Sequence, residues 1–116
     1  MKPNTLAEAS KKISELIARS WLSEGEEIKQ TLLEGNSDRI KKLFESNDID
    51  LDKLFSPMSV KIAIDRDGNS GSIEQIASKN GTVTVKIPYP SRPDEVTDEQ
   101  LNLWSGNNII APAVST

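Results

Sequence analysis

The apolar residues of this chain change period once, near Pro57, and that change limits the possible folds more than any single motif. Upstream, Leu6, Ala9, Ile13, Leu16 or Ile17, and Ser20-Trp21 recur every three or four residues, one stripe of an amphipathic helix. Glu8, Lys11, Lys12, Glu15 and Arg19 fall mostly on its other side. From Glu24 to Glu34 the pattern continues through Ile28, Leu32 and Leu33, and Gly35-Asn36 supplies a C-cap. Ser37 is placed to N-cap a third helix carrying Ile40, Leu43 and Phe44, with Asp38 at the positive end of its dipole. Leu51, Leu54 and Phe55 belong to a connector expected to fold back onto these helices, closed by Pro57.

Downstream the period is two. Val60, Ile62 and Ile64 alternate with Lys61 and Ala63, the pattern of a half-buried strand. Ser72 to Ser78 is a weaker strand around Ile73 and Ile76, with a helical turn as its alternative. Asn80-Gly81 is a strong hairpin signal, and it leads into Thr82 to Ile87, where Val83, Val85 and Ile87 share one face. Pro88, Pro90 and Pro93 then stop regular pairing. Thr97 and Gln100 form a capping box for a short helix with Leu101 and Trp104, ended by Gly106. Residues 107–116 carry no charge, contain Pro112 and show no period, so they read as an extended or disordered tail. The predicted class is α+β: N-terminal helices packed on a small antiparallel sheet, then a flexible C-terminal tail.

Composition narrows the chemistry. The chain has neither Cys nor His, which removes disulfides, thiolate metal sites, Cys nucleophiles, the commonest general base and any Ser-His triad. No metal and no cofactor is expected. A net charge of -4 argues against nucleic acid, because Lys and Arg are dispersed. No apolar run approaches the ~20 residues of a membrane span, and the N-terminus lacks the apolar stretch of a secretory signal. The expected location is the cytoplasm.

Two constellations fail as sites. Asp65-Arg66-Asp67-Gly68-Asn69 invites a calcium loop, with Gly68 at position six and Glu74 at twelve, but position one is then Ala63, which brings no side-chain oxygen. A polar turn between strands is the better reading. The acidic groups Glu24, Glu26, Glu27 and Asp94, Glu95, Asp98, Glu99 sit in polar runs rather than in a shared cleft, so no acid-base pair is expected.

A wider arrangement carries a functional expectation. Ile17, Ala18 and Trp21 are followed by Leu32, Leu33 and Asn36, then by the strand Val83 to Ile87, Pro88-Tyr89-Pro90, the acidic Thr97-Asp98-Glu99-Gln100-Leu101 and the small pair Ser105-Gly106. This order resembles the nitrile hydratase-like leader peptides of the proteusin class of ribosomally synthesised, post-translationally modified peptide precursors (RiPP precursors). The segment also looks like the α subunit of nitrile hydratase. Aligned on Tyr89-Pro90, however, the metal-binding Cys positions fall at Val83, Lys86 and Pro88, so nitrile hydration is not expected.

The resemblance implies a non-enzyme: a folded leader over residues 1–96, a short helix and cleavage region over 97–106, and a core peptide over 107–116. It implies cleavage between Gly106 and Asn107. Epimerisation by a radical SAM enzyme would fall on Ile109, Ile110, Ala111 or Val114, and dehydration by a lanthionine synthetase-type enzyme on Ser115 or Thr116. A leader peptidase or transporter is a third implied partner, with export of the mature core. Enzyme recognition is expected at Arg19, Tyr89, Arg92 and the acidic run Asp94 to Glu99, taken as exposed; Trp21 and Trp104 read as core or packing residues, with Trp104 alternatively an anchor for a partner. Ten residues is short for a core, which leaves open a longer natural one, and the oligomeric state is equally open. The alternative function is a small non-catalytic partner-binding or adaptor module.

Overall fold

A computed structural model of the chain describes residues 5–22, 25–66, 73–76, 80–99 and 110–114. Helices α1 (Leu6–Arg19), α2 (Glu26–Glu34), α3 (Ser37–Glu45) and α4 (Leu51–Phe55) precede strands β1 (Ser59–Asp65), β2 (Ile73–Ile76), β3 (Thr82–Pro88) and β4 (Ile110–Val114). The α+β class holds, with the change of period falling at the α4–β1 junction.

Each helix has a visible local cause. Thr5 caps α1, its Oγ1 accepting the Glu8 N–H at 3.1 Å while its hydroxyl faces the Glu8 carboxylate at 3.2 Å. Ala9, Ile13, Leu16 and Ile17 bury the expected stripe. Gly35, at φ +70°, ends α2 in the left-handed conformation that glycine adopts without a Cβ penalty. The cap of α3 differs from the sequence reading by one residue. Asn36, not Ser37, is the N-cap, its Oδ1 accepting the Arg39 N–H at 3.1 Å. Leu51 is buried, and Leu54 and Phe55 pack against the core, so the connector does fold back.

The sheet runs β1-β3-β2-β4 and is mixed, which corrects the antiparallel expectation. β2 and β3 are an antiparallel hairpin pair, with Glu74 opposite Lys86. Asn80 (φ +64°) and Gly81 (φ +73°) both take the positive φ that a tight hairpin turn demands. β1, however, lies parallel to β3, Ser59 opposite Thr82 through Asp65 opposite Pro88. The connection after Asp65 therefore carries the chain past β3 before the hairpin returns it. β4 runs parallel to β2 at the far edge, with a register shift between Glu74 and Ile76. Residues 110–114 are thus extended, as read from the sequence, but paired.

Helices and sheet share one core. Val60, Ile62, Ile73, Val83, Val85 and Ile87 meet Ile13, Leu16, Ile17, Leu32, Ile40 and Phe44, all nearly inaccessible. Of the expected β1 stripe, Val60 and Ile62 are buried and Ile64 packs partly exposed against the core.

The outer edge of β1 is closed by side chains rather than by a strand. Ser37, displaced from capping duty, accepts the Ile62 N–H at 2.9 Å. Asp52 of α4 accepts the Val60 N–H at 3.3 Å, and Lys41 of α3 donates to the Val60 carbonyl at 3.1 Å while pairing with Asp52 at 3.0 Å. Main-chain groups that would otherwise recruit another strand are satisfied by α3 and α4. Ser37→Ala orphans a half-buried N–H and is expected to cost about 1–2 kcal/mol, read as a lower urea midpoint at unchanged slope. An unchanged midpoint would mean that water replaces the hydroxyl at no cost.

Candidate functional site

Three places deserve a functional reading: the C-terminal strand, the Tyr89 cluster and a cationic groove on the helical face. Of the expected modification positions, Ile110, Ala111 and Val114 lie on β4. Ile109, Ser115, Thr116, the Gly106–Asn107 cleavage pair and Trp104 lie outside the described residues. So does most of the short helix expected after Thr97, although Asp98 and Glu99 are helical.

Tyr89 is not an exposed recognition residue. It is 1% exposed, because β3 continues through Pro88 straight into the core and the Tyr89 N–H is held by the Asp65 carbonyl at 3.1 Å. Its hydroxyl lies 2.9 Å from Ser20 Oγ. Ser20 donates its own proton to the Ile17 carbonyl at 2.5 Å, so the phenol is the donor between the two hydroxyls. Trp21 stacks on the Tyr89 ring, centroids 6.1 Å apart and planes 13° from parallel. Burial pushes the Tyr89 phenol above its ordinary range, with the Ser20 bond pulling the other way. Ser20, Trp21 and Tyr89 are a structural clamp joining the end of α1 to the end of β3.

The chain leaves this clamp through a 3-10 turn, Pro93–Glu95. Lys29 of α2 holds it, pairing with Asp94 at 3.0 Å and with Glu26 at 3.1 Å. Its hydrogen bond to Asp94, then that to Glu26, raise the Lys29 pKa. Arg92 is exposed, as expected, and lies 3.7 Å from Glu95.

Arg19 is exposed and sits on a groove of about 460 Å³ formed where α1, α2 and α3 converge. Arg39 and Lys42 share that groove, Glu27 is its acidic member, and Ile28 and Leu43 give it an apolar floor. Arg19 reaches Asn47 Oδ1 at 3.5 Å, and Arg39 pairs with Glu34 at 2.9 Å. In the sequence Lys and Arg look dispersed, and nothing sets this group apart. Its missed signal was spacing: Arg39, Lys42 and Leu43 share one side of α3.

A carboxylate cluster also forms. Glu45, Asp50 and Asp52 bring oxygens within 4.8 Å of one another. Two of them already have tasks, since Asp50 caps α4 by accepting the Lys53 N–H and Asp52 pairs with Lys41. The segment of the rejected calcium loop keeps only Asp65 and Arg66 among the described residues. Arg66 donates to the Leu33 carbonyl at the C-terminal end of α2, where a cation is favoured. No described helix is long and apolar enough to cross a membrane.

Comparison with known protein families, characterised proteins and solved structures returns no match for this chain.

Proposed function

We propose that this chain is a precursor substrate of the proteusin kind: a folded leader that maturation enzymes grip, carrying a C-terminal segment that they modify and release. The observation that carries this reading is how the chain divides. The buried core that runs from Ala9 to Tyr89 is built by α1 to α4 and β1 to β3, and residues 110–114 join the sheet as its outermost strand. An edge strand is hydrogen-bonded along one side only, here to β2, so it detaches more readily than a central strand. Pro112 brings no N–H to that row.

The leader raises the local concentration of the tail at an enzyme bound to it, so a weakly held tail still reacts. The enzymes proposed are a radical SAM epimerase, a lanthionine synthetase-type enzyme and a leader peptidase or transporter. Synthesis is placed in the cytoplasm and the released core outside it. The test is tandem mass spectrometry of the protein and its fragments from the source cell. Cleavage after Gly106, with altered residues among Ile109, Ile110, Ala111, Val114, Ser115 and Thr116, is the expected result. A C-terminus recovered intact and unaltered, with the maturation enzymes expressed, would overturn the reading.

One observation favours a second reading, a non-catalytic binding module. A strand hydrogen-bonded to β2 is an ordinary structural element and need not be cargo. Deleting residues 107–116 separates the two, since a binding module keeps its partner while a precursor loses its product.

A further inference from the structure

We infer that the groove between α1, α2 and α3 is the docking site for an acidic peptide segment, anchored by an aliphatic side chain, on a protein partner. The inference rests on the precursor reading and specifies which face of the leader is gripped. Three cations, Arg19, Arg39 and Lys42, surround the groove against one carboxylate, Glu27, on a chain whose net charge is -4. Positive charge is therefore concentrated here against the balance of the molecule, which favours an approaching carboxylate and sets its orientation. The three cations differ in availability. Arg39 already answers Glu34, and Arg19 is held only by a long contact to the neutral Asn47. Among the described residues no ion pair engages Arg19 or Lys42, so these two are the groups offered to a ligand.

The floor decides between ligands. Leu43 is half-buried and Ile28 only 8% exposed, so the apolar surface that a bound segment finds beside the charges is chiefly that of Leu43. A simple anion would leave that surface wet. An aliphatic side chain flanked by Asp or Glu would cover it and meet Arg19 and Lys42 at the same time. Glu27 opposes a uniformly anionic backbone, which disfavours nucleic acid.

The experiment titrates the full chain with a fluorescein-labelled peptide of alternating Glu and Leu, followed by anisotropy and by amide shifts in NMR. The Gln-Leu and Lys-Leu analogues and a labelled single-stranded oligonucleotide serve as comparison probes. The Glu-Leu peptide is expected to bind tightest, to weaken with added salt, and to shift amides around Ile28, Lys42 and Leu43. Arg19→Gln with Lys42→Gln, both at exposed positions, is expected to weaken it about tenfold while the circular dichroism melt stays in place. Equal binding of the Gln-Leu peptide, tighter binding of the oligonucleotide, shifts mapping elsewhere, or an unaffected double variant would each overturn the inference. Failure here with a matured C-terminus removes only the groove. An unmodified C-terminus with groove binding intact removes only the precursor reading.

Discussion

Gly25→Ala is expected to destabilise the chain by about 3 kcal/mol, at the upper end of what added core atoms cost. The backbone at Gly25, φ -97°, suits any residue, so conformational strain is not the cause. Space is. A Cβ built there would lie 2.0 Å from the Arg19 carbonyl oxygen, 2.6 Å from Ser20 Cα and 2.8 Å from the Arg19 carbonyl carbon. All three are main-chain atoms, which cannot swing aside as a side chain would. The chain turns so tightly from α1 into α2 that only a hydrogen fits between them, and the Gly25 N–H closes the turn on the Leu22 carbonyl at 2.9 Å.

Two other glycines calibrate the effect. Gly35 and Gly81 have positive φ (+70° and +73°), but a Cβ at Gly35 would meet only Arg66 Nη2 at 3.5 Å, and at Gly81 nothing within 4 Å. Alanine there is expected to cost about 1 kcal/mol each, from backbone strain alone. Urea midpoints should therefore order Gly25→Ala well below the other two. If all three variants melt together, the close approach of α1 and α2 is wrong. Because Arg19 sits at the point of collision, Gly25→Ala is also expected to weaken the Glu-Leu peptide.

What the sequence reveals follows the reach of each interaction. The buried face of α1, the caps at Gly35 and the Asn80-Gly81 turn are local, set within a few residues, and each is found where the pattern places it. The parallel pairing of β1 with β3 is not local. Val60 and Ile62 state that a strand buries one face, but nothing in their alternation names a partner or a direction. Asn36 and Ser37 are both good caps. The choice between them follows β1, whose Ile62 N–H is accepted by Ser37.

The same distinction governs the candidate site. Arg19 and Arg92 are exposed because charge keeps them so. Tyr89 misleads because a phenol reads as a surface residue until Ser20, 69 positions away, supplies its hydrogen bond. Arg19, Arg39 and Lys42 line one groove only once α1 and α3 both pack against α2, so no run of basic residues announces it. The pairing of residues 110–114 with β2 was likewise hidden, since an uncharged segment with Pro112 has no alternation to read.

Tyr89→Ala is expected to cost about 4 kcal/mol, since it empties the site of a fully buried ring and removes the face on which Trp21 stacks. Tyr89→Phe keeps the ring and loses the hydroxyl, for about 1 kcal/mol. Ser20 retains its bond to the Ile17 carbonyl in that variant, so the helix end stays closed. The pair also has a signature in pH. Burial holds the folded phenol above the ordinary value of 10.0, so the native state binds this proton more tightly than the unfolded chain does. The stability it contributes is complete below the unfolded pKa and declines as pH rises through the folded one. The wild-type chain should thus lose stability across that alkaline range, and Tyr89→Phe should lose less over the same interval. The chain has a single tyrosine, so tyrosinate absorbance reports Tyr89 alone. A tyrosinate titrating at or below the ordinary value in the folded protein would place the phenol in water and undo the clamp between α1 and β3.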